Sequence, residues 1–173
     1  MGIFDKPDFE QMRKDNDWPR LVHYANYVKD PALSGEATKV ASRDVNRIVE
    51  YLYETALWSQ KNSSSHGRRL PRRGIRQIGE ATTLLRRLGA RSVTPLVESV
   101  RLYDAYGDPD DRVRVLYFAI VFDALERMGA KTAAGLRELA AVGDENISSP
   151  ARELLQRFVD RGLIESSRHT QGD

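Results

Sequence analysis

The sequence predicts an all-α protein, and three observations carry that prediction. Apolar residues recur at three- and four-residue intervals almost throughout, and no stretch of several residues alternates cleanly with a period of two. One helix boundary is also written twice, forty positions apart: Leu85-x-x-Leu88-Gly89-Ala90-Arg91-Ser92 returns as Leu125-x-x-Met128-Gly129-Ala130-Lys131-Thr132. The length, 173 residues, fits one domain. A domain of that size buries about 70% of its unfolded surface. Residues 1–164 are expected to form it. Residues 165–173 offer nothing apolar to pack and are expected to be a frayed tail.

The elements follow in order. A short helix at about 7–14 is expected to cover the first repeat, closing the end of the core with Phe4, Phe9 and Met12. After it, a first template of cap, apolar residue, two free positions and a second apolar cluster fits four times. It reads Asp17-Trp18-x-x-Leu21-Val22, Asp44-Val45-x-x-Ile48-Val49, Ser92-Val93-x-x-Leu96-Val97 and, less well, Thr132-Ala133-x-x-Leu136. Asp, Ser or Thr at each start offers a side-chain oxygen to the unpaired N–H groups of a first turn. Pro19 and Pro95 are expected within those first turns, where a missing N–H costs nothing.

A second template is interleaved: Ala37-x-x-Val40-Ala41, Ala81-x-x-Leu84-Leu85, Val121-x-x-Ala124-Leu125 and Ala151-x-x-Leu154-Leu155. Asp30-Pro31, Asp108-Pro109-Asp110-Asp111 and Ser149-Pro150 read as its starts, a cap followed by proline and early acids that suit the positive helix end. Gly89, Gly129 and Gly162 follow its last turns, where a left-handed residue closes a helix at little cost. Whether residues 32–59 form one helix or two, with Asp44 as the break, stays open at this level.

Laid out this way, the chain resembles a HEAT-like repeat protein, with helix pairs at about 17–42, 44–88, 92–128 and 132–161. Each pair carries an apolar stripe that it cannot bury alone, so neighbours stack, and a right-handed α-solenoid with an extended concave face is expected. The spacing between first helices is uneven, at 27, 48 and then 40 residues. The resemblance implies that the second helices line the concave wall. It is nearly silent on activity, because the repeat residues build the core and the helix ends.

Composition narrows the functional classes. Hydrophobic residues at 40% and charged residues at 30% argue against disorder. The formal charge of +2 argues against a chain that coats nucleic acid along its whole length. The absence of cysteine removes disulfides, thiol catalysis, iron–sulfur clusters and Cys-type zinc sites. The longest apolar run, Val115 to Phe122, is far short of the roughly 20 residues that cross a bilayer. With no basic-then-apolar leader, a soluble cytoplasmic protein without membrane partners is expected.

Charge is distributed unevenly. Nine cations lie between Thr55 and Arg91 (Lys61, Arg68, Arg69, Arg72, Arg73, Arg76, Arg86, Arg87, Arg91) against the single acid Glu80, leaving +8 there and −6 elsewhere. Such a concentration makes a local positive field that attracts anionic partners, and Arg grips phosphate or carboxylate in a planar fork. The stretch at about 60–73 is too long and polar for an ordinary link between paired helices and reads as an Arg-rich insertion. In the helix that follows, Ile75, Ile78, Ala81, Leu84, Leu85 and Leu88 are expected to be buried, with Arg76, Glu80, Thr83 and Arg87 on the opposite face. Arg114, Phe118 and Phe122 lie at spacing four on the next second helix, placing Phe118 near those cations. The candidate binding residues are therefore Lys61, Arg68, Arg69, Arg72, Arg73, Arg76, Arg87, Arg114 and Phe118. The same cluster also reads as a solvated face with ordinary surface pairing. Core packing is the plainer reading of Trp18, Trp58, Tyr51, Phe118 and Phe122.

Signatures of catalysis are weak. His23, His66 and His169 fall in a helix, a loop and the tail, which argues against zinc. Ser63 to His66 lacks a third group to hold a base. Asp108-x-Asp110-Asp111 begins like a calcium loop, but Val113 stands where glycine is needed and Ala119 where a bidentate Glu is needed. No GxGxxG, GxxxxGK[ST] or HExxH occurs. A non-catalytic binding module, with no cofactor and no metal, is the expectation, and an acidic protein surface is its partner. Nucleic-acid binding through the phosphate backbone is the alternative, extending to an activity like that of HEAT-like alkylpurine DNA glycosylases. That extension is an analogy of fold alone, as is any likeness to phycobilin lyases.

Overall fold

Acidic caps set most of the helix starts. The computed structural model describes residues 6–64, 69–103 and 110–165, and among them every regular element is helical. Helix α1 (Phe9–Lys14) follows Asp8, whose carboxylate accepts from the Gln11 N–H. It closes at Asn16, with φ 58°; Asn16 N–H donates to Arg13 O and Asp17 N–H to Met12 O. That pattern satisfies the last carbonyls of α1 and delivers Asp17 as the cap of α2 (Trp18–Ala25). Asp30 caps α3 (Pro31–Ala41), accepting from Ala32 N and Leu33 N. Helix α4 (Val45–Lys61) begins behind Asp44, so residues 32–59 form two helices. Then come α5 (Arg72–Leu88), α6 (Ala90–Arg101), α7 (Asp111–Met128), a 3-10 turn (Gly129–Thr132), α8 (Ala133–Ala140) and α9 (Glu145–Asp160).

The duplicated boundary folds the same way twice. Gly89 has φ 63° and ψ −131°, and Gly129 has φ 74° and ψ −154°. Both conformations are open mainly to glycine. Thr132 stands at the cap position of α8 as expected, though without a side-chain cap bond, whereas Ser92 lies inside the first turn of α6; both hydroxyls tie their turn to the helix before it. Ser92 Oγ donates to Leu85 O at 2.8 Å, and Thr132 Oγ1 lies 3.2 Å from Leu125 O, seven residues back in each case, with Gly129 O also within reach of Thr132 at 2.8 Å. Gly162 closes α9 as expected, at φ 66°, with Leu163 N–H donating to Phe158 O.

Two prolines lie deeper than the sequence suggests. Helix α6 starts at Ala90, directly after Gly89, which places Pro95 inside it. Helix α9 starts behind Asp144, whose carboxylate accepts from Asn146 N, so Ser149-Pro150 falls inside the helix rather than at its start. In α9 the Asp144 cap offsets part of the cost of the backbone bond lost at Pro150, whereas α6 begins behind Gly89 with no side-chain cap.

Packing places the helices in two rows. In one, α2 touches α4, α4 touches α6, and α6 touches α8; in the other, α5 touches α7 and α7 touches α9. The pairs α2–α3, α4–α5 and α8–α9 make the most extensive contacts, and α1 covers α2 and α3 with Phe9 and Met12 buried. One continuous apolar cluster runs from Phe9 to Phe158. Phe4 and the 166–173 part of the expected tail lie outside the described residues.

Candidate functional site

Helix α5 is the axis of the site, and its buried stripe is rotated from the expected one. Gly74 lies against Ser59 of α4 so closely that a Cβ at position 74 would stand 2.0 Å from Ser59 Oγ. This approach turns Gly74, Gln77, Ala81, Leu84 and Leu85 inward, leaving Ile78 and Leu88 half-buried and Ile75 54% exposed. Arg72, Arg73, Arg76 and Arg87 are exposed as expected.

Three adjoining depressions follow α5 and share lining residues. The first, about 450 Å³, lies among α2, α4 and α5 and includes Trp18, Tyr51, Trp58, Arg73 and Gln77. The second, about 300 Å³, lies between α2 and α5 and is lined by Pro19, Arg20, His23, Arg73, Arg76, Gln77 and Glu80. The third, about 730 Å³, opens between α5 and the α2–α3 pair, from Asn26 and Tyr27 to Thr83 and Arg87. Arg73 and Gln77 belong to the first two, and Arg76 and Glu80 to the last two, so one trough runs along the helix.

The cations divide into those that hold the fold and those that do not. Arg87 Nη1 donates to Ala25 O at 2.6 Å and Nη2 to Thr38 Oγ1 at 3.3 Å, tying α5 to the α2–α3 pair. Arg91, in the first turn of α6, donates from Nη2 to Ser42 O at 2.9 Å, tying α6 to the end of α3. Arg73 lies over the Trp58 ring at 5.5 Å. That is a cation–π contact. Arg76 makes no hydrogen bond or ion pair among the described residues, and neither do the side chains of Arg69 and Arg72. Lys61 ends α4 in the electrostatic neighbourhood of Asp110. Arg68 lies outside the described residues, as do His66, His169 and Asp108.

Arg114 and Phe118 belong to a different place. Arg114 pairs with Asp144 and stands 5.4 Å from the Phe118 ring, which is itself 5% exposed and packed edge-on against Tyr103. Together with Val115, Phe122, Asn146 and Pro150 they line a cleft of about 510 Å³ between α7 and α9, which shares no residue with the trough. Trp18 and Tyr51 are buried and Trp58 is 38% exposed. Burial raises the Tyr51 phenol above its usual value, the Thr55 side chain lowers it, Glu80 raises it, and Arg73 and Arg76 lower it.

Several trough residues were not among the candidates read from the sequence. His23 Nδ1 lies 2.9 Å from Glu80 Oε1, and Asn26 Nδ2 donates to Glu80 O at 2.9 Å. Arg20 pairs with its own cap, Asp17, at 3.3 Å. Helix α2 brings these residues to α5 from more than fifty positions away, and no local pattern announces them. Gln77 carries the one available signal, an amide on an otherwise apolar stripe. Its side chain makes no hydrogen bond among the described residues although the residue is 9% exposed. No group of acids and histidines that could hold a metal ion occurs among the described residues, and none of their helices is long and apolar enough to cross a membrane. No family model, curated protein or solved structure matches the chain.

Proposed function

We propose that the chain is a HEAT-like, right-handed α-solenoid that binds an acidic segment of a partner protein along α5. The stacking of α2, α4, α6 and α8 in one row and of α5, α7 and α9 in the other supports the solenoid, as does the twice-built glycine boundary. One observation carries the binding role: Arg76, which pairs with no other described residue, lies in the trough between Arg73 and the Arg87 tie. Helix α5 also begins with Arg72 and Arg73, has no acid in its first turn and has no side-chain cap. Cations at the positive end of a helix dipole are unfavourable, and an anion docked there relieves both charges.

The trough suits an acidic peptide better than a nucleic acid. Glu54 and Glu80 interrupt any continuous phosphate track. Trp58 already carries Arg73 on its ring, and Trp18 and Tyr51 are buried, so the large aromatic side chains beside these cations offer little face to a base. The test is fluorescence anisotropy with a labelled Asp/Glu-rich peptide. Reversing Arg72, Arg73 and Arg76 to Glu is expected to weaken binding at least tenfold, about 1.4 kcal/mol, with the thermal midpoint retained. Absence of peptide binding, or unfolding of the triple variant, overturns the proposal. Tighter retention of an oligonucleotide, with affinity falling linearly on a log–log salt plot, selects the nucleic-acid reading instead.

A further inference from the structure

We infer that the small depression between α2 and α5 receives a phosphate monoester, carried on a serine or threonine of the acidic segment. This inference rests on the binding role proposed above and narrows it. Three guanidiniums, Arg20, Arg73 and Arg76, line the depression against one carboxylate, Glu80. Arg20 keeps its Asp17 partner at 3.3 Å, whereas Arg73 and Arg76 have no carboxylate partner among the described residues. Two guanidinium forks suit the three acceptor oxygens of a phosphate monoester, which bears about −1.5 to −2 at pH 7, better than the two oxygens of an Asp or Glu side chain.

The donors converge from two helices. Arg20 and His23 come from α2, and Arg73, Arg76 and Gln77 from α5. Glu80 is turned to positioning, because its Oε1 holds His23 Nδ1 at 2.9 Å and leaves Nε2 as the imidazole atom for a ligand. Gln77 supplies the independent observation. More than nine-tenths buried, it makes no hydrogen bond among the described residues, yet it lines this depression and its neighbour. Its amide keeps contact with solvent where it lines these depressions, so its N–H groups are free to donate to a phosphate oxygen.

Size and surroundings favour a phosphorylated side chain over a larger ligand. The depression holds about 300 Å³. That is the lower end of the range for ligand pockets, room for a tetrahedral anion and a short tether. The trough continues on either side, through Arg73 and Gln77 one way and through Arg76 and Glu80 the other, so the flanking chain has a course to follow.

The full chain is titrated by anisotropy with a labelled twelve-residue Asp/Glu/Gly peptide bearing a central serine, and with its phosphoserine twin. Inorganic phosphate serves as competitor and a twelve-nucleotide single strand as control. The phosphorylated twin is expected to bind at least tenfold more tightly. Gln77→Leu is expected to remove most of that gain while leaving the weaker binding of the serine peptide, and Arg76→Ala is expected to weaken both peptides, the phosphorylated one by the larger factor. The thermal midpoint of each variant reports folding, and Arg76, which bonds to no other described group, keeps the test valid if Gln77→Leu destabilises the protein. Equal affinity for the twins overturns the phosphate pocket and leaves the acidic-segment reading intact. Binding of neither peptide overturns both. Inorganic phosphate that binds as tightly as the phosphopeptide overturns the peptide source, and an oligonucleotide that outcompetes it overturns the proposal.

Discussion

At Gly74, one hydrogen atom in place of a side chain lets α5 settle on α4. A methyl there would overlap Ser59, whose Oγ already donates to Thr55 O at 2.6 Å. Gly74→Ala is expected to destabilise the protein by about 1–3 kcal/mol, as overpacking of a filled interior does. Adding Ser59→Gly should recover part of that loss, and a thermal double-mutant cycle checks both. Tyr51 makes a second prediction at this scale. Its folded pKa lies above the unfolded value near 10, so its contribution to stability is complete below pH 10 and is lost as pH rises through the folded value. Tyr51→Phe should therefore flatten the fall in thermal midpoint between about pH 9 and 11. The sequence showed these residues but not their partners. Gly74 reads as a helix-weakening residue and Ile75 as a core residue until the Gly74–Ser59 approach fixes which side of α5 faces inward.

At the scale of the element, the repeated boundary explains why two distant stretches look alike. Glycine is required because each turn passes through positive φ, and a hydroxyl is required seven residues after the leucine whose carbonyl it satisfies. Ser92→Ala and Thr132→Val should each cost about 0.5–1.5 kcal/mol, the net worth of one hydrogen bond, since Leu85 O still accepts from Gly89 N–H. The two losses should add, since the sites belong to different turns, and chemical denaturation measures both. Helix existence was legible from periodicity and caps, and the gap at 42–44 was anticipated as one of two outcomes. The starts of α6 and α9 were not, because a proline reads locally as a first-turn residue. Whether an upstream Gly89 or Asp144 can begin the helix earlier depends on the whole segment.

For the whole molecule, the trough exists because α5 is held to the α2–α3 pair partly by arginine bonds rather than by side-chain packing alone. Arg87 of α5 reaches across to the Ala25 carbonyl at the end of α2, with Arg91 of α6 reaching the Ser42 carbonyl that follows α3, and the opening of about 730 Å³ lies beside the Arg87 tie. Arg76 and Arg87, on one helix, should then behave oppositely. Arg87→Ala is expected to lower stability by about 1 kcal/mol through the lost bonds to Ala25 and Thr38. Arg76→Ala is expected to leave the thermal midpoint unchanged and to weaken anion binding. A thermal melt and an anisotropy titration on the same two variants separate these roles.

By itself the sequence determined that the chain is helical, where most helices begin and end, and that positive charge collects around residues 61–91. Those properties follow from periodicity, caps and composition, which act over a few residues. Only the tertiary structure decided which arginines are spent on carbonyls and rings, that Arg114 and Phe118 sit in a separate cleft, and that His23 and Glu80 meet. Such pairings depend on how helices more than fifty residues apart rotate against one another, and that rotation is set by close approaches such as Gly74 on Ser59 rather than by any local run of residues.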